Sequence, residues 1–366
     1  SPILPGTLEA VGPRYCPSFE EKLVRFPDKP SHQLFLEPEG WHTGEVYVQG
    51  FFTGLPEEVQ RAVLHTITAL WEAVIVRAGY AIEYDAVPST QIQASLETRR
   101  VEGLFLAGQI NGTSGYEEAA AQGLMAGVNA ARKVAGKAPV ILRRDQAYIG
   151  VLIDDLVTQE IKEPYRIMTS RAEYRLLLRQ DNADLRLGPV AEELGLLPPE
   201  QLAGVRARQR EIKQELERLE GTWVRPDPAL NQALQERGLE PLTDGANALQ
   251  FLKRPGVTYA LLAQHVPPPE PLSPPAAEQV EIEAKYAGYI EKQRREVARL
   301  KRLEEWPIPR TLNYQEIVGL SNEAREKLDR FRPTTVGQAS RIPGVNPADV
   351  SVLLVALRGK GRDDEV

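Results

Sequence analysis

The sequence predicts an α/β domain followed by an all-α region. Over residues 1–138, extended apolar segments alternate with glycine-rich turns and helical stretches. Beyond Gly136-Lys137-Ala138-Pro139 glycine thins out while Arg, Glu and Leu rise. Long amphipathic periods then appear at 201–220 and 279–304.

Taken in order, "HQLFLEP" (32–38) and "EVYVQGFF" (45–52) read as extended segments. "PEEVQRAVLHTITAL" (56–70) reads as a helix opened by Pro56, whose missing N–H would be unpaired there in any case. "LFLA" (104–107) is a short buried strand candidate, and 115–133 a helix with small residues on the side expected against a sheet. In 201–220, Val205, Ile212, Leu216 and Leu219 share one helical face, as do Tyr286, Ile290, Val297 and Leu300 in 279–304. The six prolines in 267–275 make a stiff, extended connector and suggest a boundary there. The C-terminus reads as a small bundle: Ser321 caps one helix that stops before Pro333, 334–342 gives a second, and Asn346-Pro347 opens a third that ends at Gly359. "GQASRIPGV" (337–345) also fits a helix-turn-helix, with an αα-corner as the plainer reading. The expected divisions are 1–138, 139–268 and 269–366.

Composition narrows the function. With 366 residues, two or three domains fit the usual size of about 150 residues each. No apolar run approaches the ~20 residues a bilayer requires, so a soluble, cytoplasmic, membrane-free protein is expected. Ser1 is not a methionine and no signal peptide follows, which reads as a fragment or a processed product. Cys16 is the only cysteine, which excludes an internal disulfide, and the histidines at 32, 42, 65 and 265 lack ligand spacing, so no metal is expected. A net charge of −7 argues against a polyanionic partner except through local basic patches.

The densest motif is "GLFLAGQINGTSGYEEAAAQG" (103–123). Strand, glycine loop and helix aim unpaired backbone N–H groups at an electron-rich ligand, and Gly108, Gly112 and Gly115 would let the backbone approach it. An ordinary βα turn whose glycines merely allow tight packing has the same pattern. Elsewhere, Arg171, Arg175 and Arg179 are four apart and would form one cationic stripe on a helix, with Arg166 and Arg186 beside it. Such a stripe fits phosphate binding, or a solvated face paired with Glu173 and Asp181. Lys292 to Arg302 hold a second basic run that reads as helix surface. Cys16, with Arg14 adjacent and Lys22 nearby, is either a small buried hydrophobe or a thiol whose thiolate the cations favour. Tyr80, Glu83, Tyr84 and Asp85 around Gly79 could stack on a ring and move protons, or be core strand.

The run from 103 onward closely resembles the signature near the end of the FAD-binding domain in the GidA/MnmG family. Similar blocks occur at 12–26, 79–85, 147–158, 163–187, 285–293 and 332–355, in family order. The resemblance implies a flavoenzyme that, with the GTPase MnmE, builds a carboxymethylaminomethyl or aminomethyl group on carbon 5 of the tRNA wobble uridine. FAD, NADH and methylene-tetrahydrofolate are implied as cofactors, and tRNA, MnmE and a second copy as partners. Family members begin with a G-x-G-x-x-G loop for the FAD pyrophosphate, and none occurs here. The chain therefore resembles the rear part of the enzyme: residues 1–138 would complete a Rossmann-like FAD domain, 139–268 would face tRNA and 269–366 would bind the partner. Gly108, Gln109, Gly112, Thr113, Gly115, Tyr116 and Glu117 would meet the cofactor, and Cys16 would act at the uridine. The fragment is expected to be inactive alone. Gln49-Gly50-Phe51-Phe52 stands where the family shows an Asn-Gly turn with small hydroxyl residues. A tRNA- and MnmE-binding module, or a folate- and FAD-dependent tRNA uridine methyltransferase, are the other readings, the latter lacking a helical tail.

Overall fold

The structure, a computed structural model, describes residues 18–82, 85–159, 164–304 and 306–363. It divides into two units, Ser1–Val140 with Gln159–Ile167, and Ile141–Thr158 with Met168–Val366. The chain thus leaves the first unit, makes one helix of the second, and returns briefly.

In the first unit α1 (Phe19–Arg25) opens with a capping box: Ser18 Oγ accepts from the Glu21 amide at 3.1 Å, and Glu21 Oε2 from the Ser18 amide at 2.8 Å. The two extended segments pair as an antiparallel hairpin, β1 (Phe35–Pro38) and β2 (Val46–Gln49), with Phe35 opposite Gln49 and Pro38 opposite Val46. Phe35, Leu36, Val46 and Tyr47 remain exposed on it. Helix α2 (Glu57–His65) starts after Pro56, and its buried Gln60 accepts from the Gly79 amide at 2.7 Å while donating to the Leu55 and Gly79 carbonyls. Helix α3 (Tyr116–Val134) follows the glycine loop.

Two expectations in this unit are corrected. "LFLA" is not a buried strand: only Phe105 bridges, to Glu97, and Leu104 is 43% exposed. Its one pairing partner is the short 96–98 turn, which supports no longer ladder. Nor does α3 lay its small residues on a sheet. Gly123 and Gly127 face open space, and the buried face holds Glu118, Gln122, Met125, Ala126 and Asn129.

The second unit is helical. α4 (Tyr148–Thr158) is buried at every residue from Gly150 onward, and a Cβ at Gly150 would overlap the Arg143 carbonyl. α5 (Ala183–Glu193) and α6 (Pro199–Gly221) lead to β3 (Trp223–Val224), α7 (Pro228–Gln235), β4 (Ala246–Asn247), α8 (Ala248–Leu252) and α9 (Tyr259–His265). After an extended strap, α10 (Pro274–Glu304) begins on two prolines, placed in its first turn where no intrahelical N–H is missed. One apolar core joins Ile212, Leu219, Phe251 and Leu262 to Ala276, Val280 and Ala284 of α10. Packing therefore crosses the division expected at 268/269, because the prolines stiffen the connector without separating the helices it joins.

A second core gathers residues 308–357 around α11 (Asn322–Phe331), α12 (Val336–Arg341) and α13 (Pro347–Asp363). Ser321 Oγ caps α11 by accepting from Ala324 at 3.1 Å, and buried Asp349 accepts from the Ser321 and Asn346 amides at 2.8 and 3.1 Å. Helix α13 runs through Gly359 instead of stopping there. A helical glycine costs only about 1 kcal/mol, too little to end a helix that no proline follows.

Candidate functional site

The loop from Gly108 to Gly115 is fixed by side-chain amides. Gly108 and Gly112 take φ of +84° and +81°, the left-handed region where a Cβ is strained. Gln122, nearly two turns into α3, accepts from the Gly108 amide at 3.2 Å and from Asn111 Nδ2 at 2.8 Å. Its own amide donates to Thr113 Oγ1 at 3.0 Å and to the Glu118 carbonyl at 3.1 Å. Thr113 in turn donates to the Gly108 carbonyl at 2.9 Å, and Asn111 to Leu106 at 2.9 Å. The returning segment 164–167 holds the far side: Tyr165 donates to the Gly112 carbonyl at 2.8 Å, and Glu118 accepts from Arg166 Nε and the Ile167 amide at 3.0 and 2.8 Å.

What this lock presents is the N-terminus of a 19-residue helix that no side chain caps. The first amides of α3 carry the positive end of the helix dipole and stay available to a carbonyl or an anion. Asn111 Oδ1 and Glu118 Oε2 are buried and unpartnered beside it. Of the residues expected here, Gly108, Gly112, Thr113 and Gly115 build the loop, Thr113 from its interior. Gln109, Tyr116 (93% exposed) and Glu117 project from it. The sequence reading missed Asn111, Glu118 and Gln122, and grouped Arg166 with the arginine stripe instead of this loop. Their signal was a polar residue at 118, 122 and 129, on the helical face where an apolar stripe belongs.

The arginines do not form the expected stripe. Residues 169–182 are two 3₁₀ turns, Thr169–Arg171 and Gln180–Asn182, joined by turns that bury Ala172, Tyr174 and Leu178. The Arg171 carbonyl, which an α-helix would offer to the Arg175 amide, accepts instead from Arg144 at 2.9 Å. Arg166 belongs to the first unit, on Glu118. Arg171 pairs with Asp155 at 3.3 Å, and Arg179 with Asp181 and Glu283, each at 3.1 Å. Arg175 alone of the three is exposed. Beneath them Arg144 binds Asp155 at 2.5 Å, Asp154 at 3.2 Å and Glu173 at 2.9 Å, while Arg341 of α12 chelates Asp154 at 2.6 and 2.8 Å. Burial opposes the Arg144 charge, but the two aspartates and Glu173 outweigh it and raise its pKa.

The family comparisons agree along most of the chain. Residues 1–138 match "Glucose inhibited division protein A", 199–294 the "tRNA modifying enzyme MnmG/GidA C-terminal helical domain", and 296–365 the "C-terminal helical bundle" of the same enzymes. The chain belongs to the GidA/MnmG family. Curated relatives named tRNA uridine 5-carboxymethylaminomethyl modification enzyme MnmG are 57% identical in Roseiflexus castenholzii, over 100% of this chain and 54% of theirs, and 56% identical in Exiguobacterium sibiricum, over 97% and 56%. The chain thus spans about half the length of the relatives it matches. The solved structure of Aquifex aeolicus GidA in its form II crystal superposes with a TM-score of 0.78 at 47% identity, covering 94% of this chain and 55% of that one. An α/β portion followed by an all-α region is the architecture of this GidA/MnmG chain.

Other residues singled out in this GidA/MnmG chain fall as follows. Cys16 and Arg14 lie outside the described residues, as do Glu83 and Tyr84. Lys22 Nζ donates to the Gly50 carbonyl at 2.9 Å, tying α1 to the turn after β2. Tyr80 and Asp85 are exposed. At the departure from the family pattern, Phe51 is buried with its ring centroid 5.2 Å from that of Phe19. Among the described residues no His, Cys, Asp or Glu cluster suits a metal, and no described helix is long and apolar enough to cross a membrane.

Proposed function

We propose that this chain is the rear portion of an FAD-dependent enzyme that builds a carboxymethylaminomethyl or aminomethyl group on carbon 5 of the tRNA wobble uridine. The single observation that carries this reading is the uncapped α3 N-terminus held on an amide-locked glycine loop. The donor set fits a flavin: the open amides at the α3 N-terminus suit its carbonyls or phosphates. Gln109, Tyr116 and Glu117 are exposed where they could add polar or ring contacts. When bound, the flavin supplies hydride transfer.

The chain's own chemistry centres on Cys16. Arg14 favours its thiolate, and the α1 N-cap, Ser18, follows two residues later. Addition of that thiolate to carbon 6 of the pyrimidine would place an electron pair on carbon 5, which could take the methylene of methylene-tetrahydrofolate as the folate N–C bond breaks; loss of the carbon-5 proton would then expel the thiolate. Lys22, committed to Gly50, holds α1 in place. Tyr80, Glu83, Tyr84 and Asp85 are assigned to the substrate, the tyrosines for stacking and the carboxylates for proton movement. NADH would be the reductant of a bound flavin, and residues 139–268 meet tRNA, with exposed Arg175 the first candidate contact and Arg166, Arg171 and Arg179 already engaged by carboxylates. Residues 269–366 take the GTPase MnmE, and the working form is a cytoplasmic homodimer.

The test uses a full-length protein carrying a front portion like that of the relatives. Tyr116→Pro, which removes one open amide at a first-turn position that tolerates proline, should lose visible flavin absorbance while the first unit keeps its stability in denaturant titration; retained flavin overturns the reading. Cys16→Ser should keep flavin and abolish the modified nucleoside in digested tRNA, and normal modification removes Cys16 from the chemistry.

A further inference from the structure

Helix α2 carries a buried amide where a leucine would pack at less cost. Both N–H donors of Gln60 and its carbonyl are engaged. Oε1 accepts from the Gly79 amide at 2.7 Å, while Nε2 donates to the Gly79 carbonyl at 2.9 Å and to the Leu55 carbonyl at 2.6 Å. Taking both the N–H and the C=O of one residue is what a neighbouring strand does in a ladder, so this side chain stands in for a strand at Gly79. The position suits glycine. A Cβ there would lie 3.1 Å from the Phe51 carbonyl oxygen and 3.2 Å from both Gln60 Oε1 and Thr53 Cγ2, closer than ordinary contact.

Gly79 is one of two anchors for the segment that follows it. At the far end the Val87 amide donates to the Ile110 carbonyl at 2.7 Å, inside the Gly108–Gly112 turn. Tyr80, Ile82 and Asp85 stand exposed between the anchors. The third bond of Gln60 reaches the turn 50–55, and α1 is seated on the same turn. There the Phe19 amide donates to the Phe52 carbonyl at 2.6 Å, the Gly54 amide to Glu20 Oε1 at 3.1 Å, and Lys22 Nζ to the Gly50 carbonyl at 2.9 Å. One buried amide therefore ties the start of 79–87 to the turn that holds α1, the helix whose N-cap follows Cys16 by two residues.

We propose that Gln60 is a positioning residue of the uridine site: by clamping Gly79 it fixes where Tyr80 and Asp85 stand relative to the glycine loop and to α1. The inference rests on the proposed uridine chemistry and adds to it a residue that acts through its neighbours. It also gives a reason for an amide at position 60, since leucine would bury as well but holds no backbone in register.

Gln60→Leu and Gln60→Glu, made in a full-length protein carrying a front portion like that of the relatives, test this with the modified nucleoside as product. Gln60→Leu should lower kcat about tenfold or more while the KM for tRNA and the flavin content stay within about twofold, because reacting groups are misplaced without loss of binding contacts. Gln60→Glu keeps the acceptor for Gly79 and loses both donors, so its kcat should fall between those of Gln60→Leu and the wild type. It also serves should the leucine variant fail to fold. In this chain, hydrogen exchange over peptides covering 79–87 should quicken about tenfold in Gln60→Leu, with α3 unchanged. Leu64→Ala, which loosens α2 at a buried position outside the clamp, should leave kcat within about twofold. Equal losses of kcat in Leu64→Ala and Gln60→Leu, or unchanged exchange over 79–87, overturn the inference. An active wild type whose Gln60 variants keep normal kcat sinks it alone, whereas a wild-type full-length protein that modifies no uridine sinks the enzyme reading and the part of Gln60 in it together.

Discussion

Replacing Gln122 with Leu should release the glycine loop without unfolding α3. The side chain is fully buried and makes four hydrogen bonds, so its amide is the hub of the lock. Leucine keeps most of the volume and favours helix, which isolates the polar term. Asn111 Nδ2 retains Leu106 and Thr113 Oγ1 retains Gly108, so each loses one of two partners. The Gly108 amide loses the acceptor that Gln122 provides. An orphaned buried amide costs about 1–3 kcal/mol and each lost partner about 0.5–1.5 kcal/mol. Local opening should therefore become easier by about 3 kcal/mol, or roughly two orders of magnitude in amide exchange. Hydrogen exchange read by mass spectrometry on peptides covering 106–117 measures this directly. Gln122→Glu keeps an acceptor for Gly108 and Asn111 and should lose less. Unchanged protection over 106–117 in Gln122→Leu would refute the claim that this amide holds the loop.

Three further outcomes follow from other contacts. Gly115→Ala in this chain should destabilise the first unit by about 2–4 kcal/mol in denaturant titration, because its Cβ would overlap Glu118 Oε2 and lie 2.7 Å from Arg166 Nε, breaking the pair that anchors 164–167. Arg341→Met should cost about 2–3 kcal/mol and raise exchange in α12, since Asp154 keeps only Arg144; unchanged exchange there would show that the α4–α12 pair carries no stability. Asp349 is opposed by burial, but the Ser321 and Asn346 hydrogen bonds hold its pKa below the ordinary carboxylate value. A lowered folded pKa means its stabilisation is present above about pH 4, the unfolded value, and is lost as pH falls through the folded one. Asp349→Asn should flatten the acid limb of stability for the C-terminal bundle, measured by thermal melts between pH 2 and 6, roughly the range where carboxylates titrate.

The long helices and their caps were legible in the sequence because period and cap chemistry are local. Ser321, Pro56 and the spacing Ile212-Leu216-Leu219 act within one or two turns. The arginine stripe was not legible, because its geometry depends on Arg144, a residue 27 positions from Arg171, taking a carbonyl that a helix needs. Spacing of four states what a helix would do with three arginines, and says nothing about whether a buried guanidinium has already claimed the backbone. The same holds at the loop. Its glycines were visible, whereas Arg166 was read with the arginines after it, and only the chain's return to the first unit places it on Glu118.

The polar lock also explains how a loop can keep its shape in a unit whose described residues hold little apolar core. Among the described residues, the two clusters of buried apolar side chains belong to the second unit. In the first, Phe35, Leu36, Val46, Tyr47, Trp71 and the 98%-exposed Trp41 all face outward, and the large buried apolar residues are few. Hydrophobic burial at about 25 cal/mol per Å² cannot fix a loop that so little apolar surface covers. Directional bonds can, since each of the four from Gln122 constrains both distance and angle, and burial of the amide makes any broken bond expensive. That is the physical reason for finding Glu118 and Gln122 on the buried face of α3, where Asn129 likewise ties the Ser95 and Val140 backbone. It also separates two kinds of damage: removing an amide should loosen the loop while leaving the rest of the first unit unaltered, whereas covering the exposed apolar residues with a partner should stabilise the unit while leaving the loop geometry unchanged.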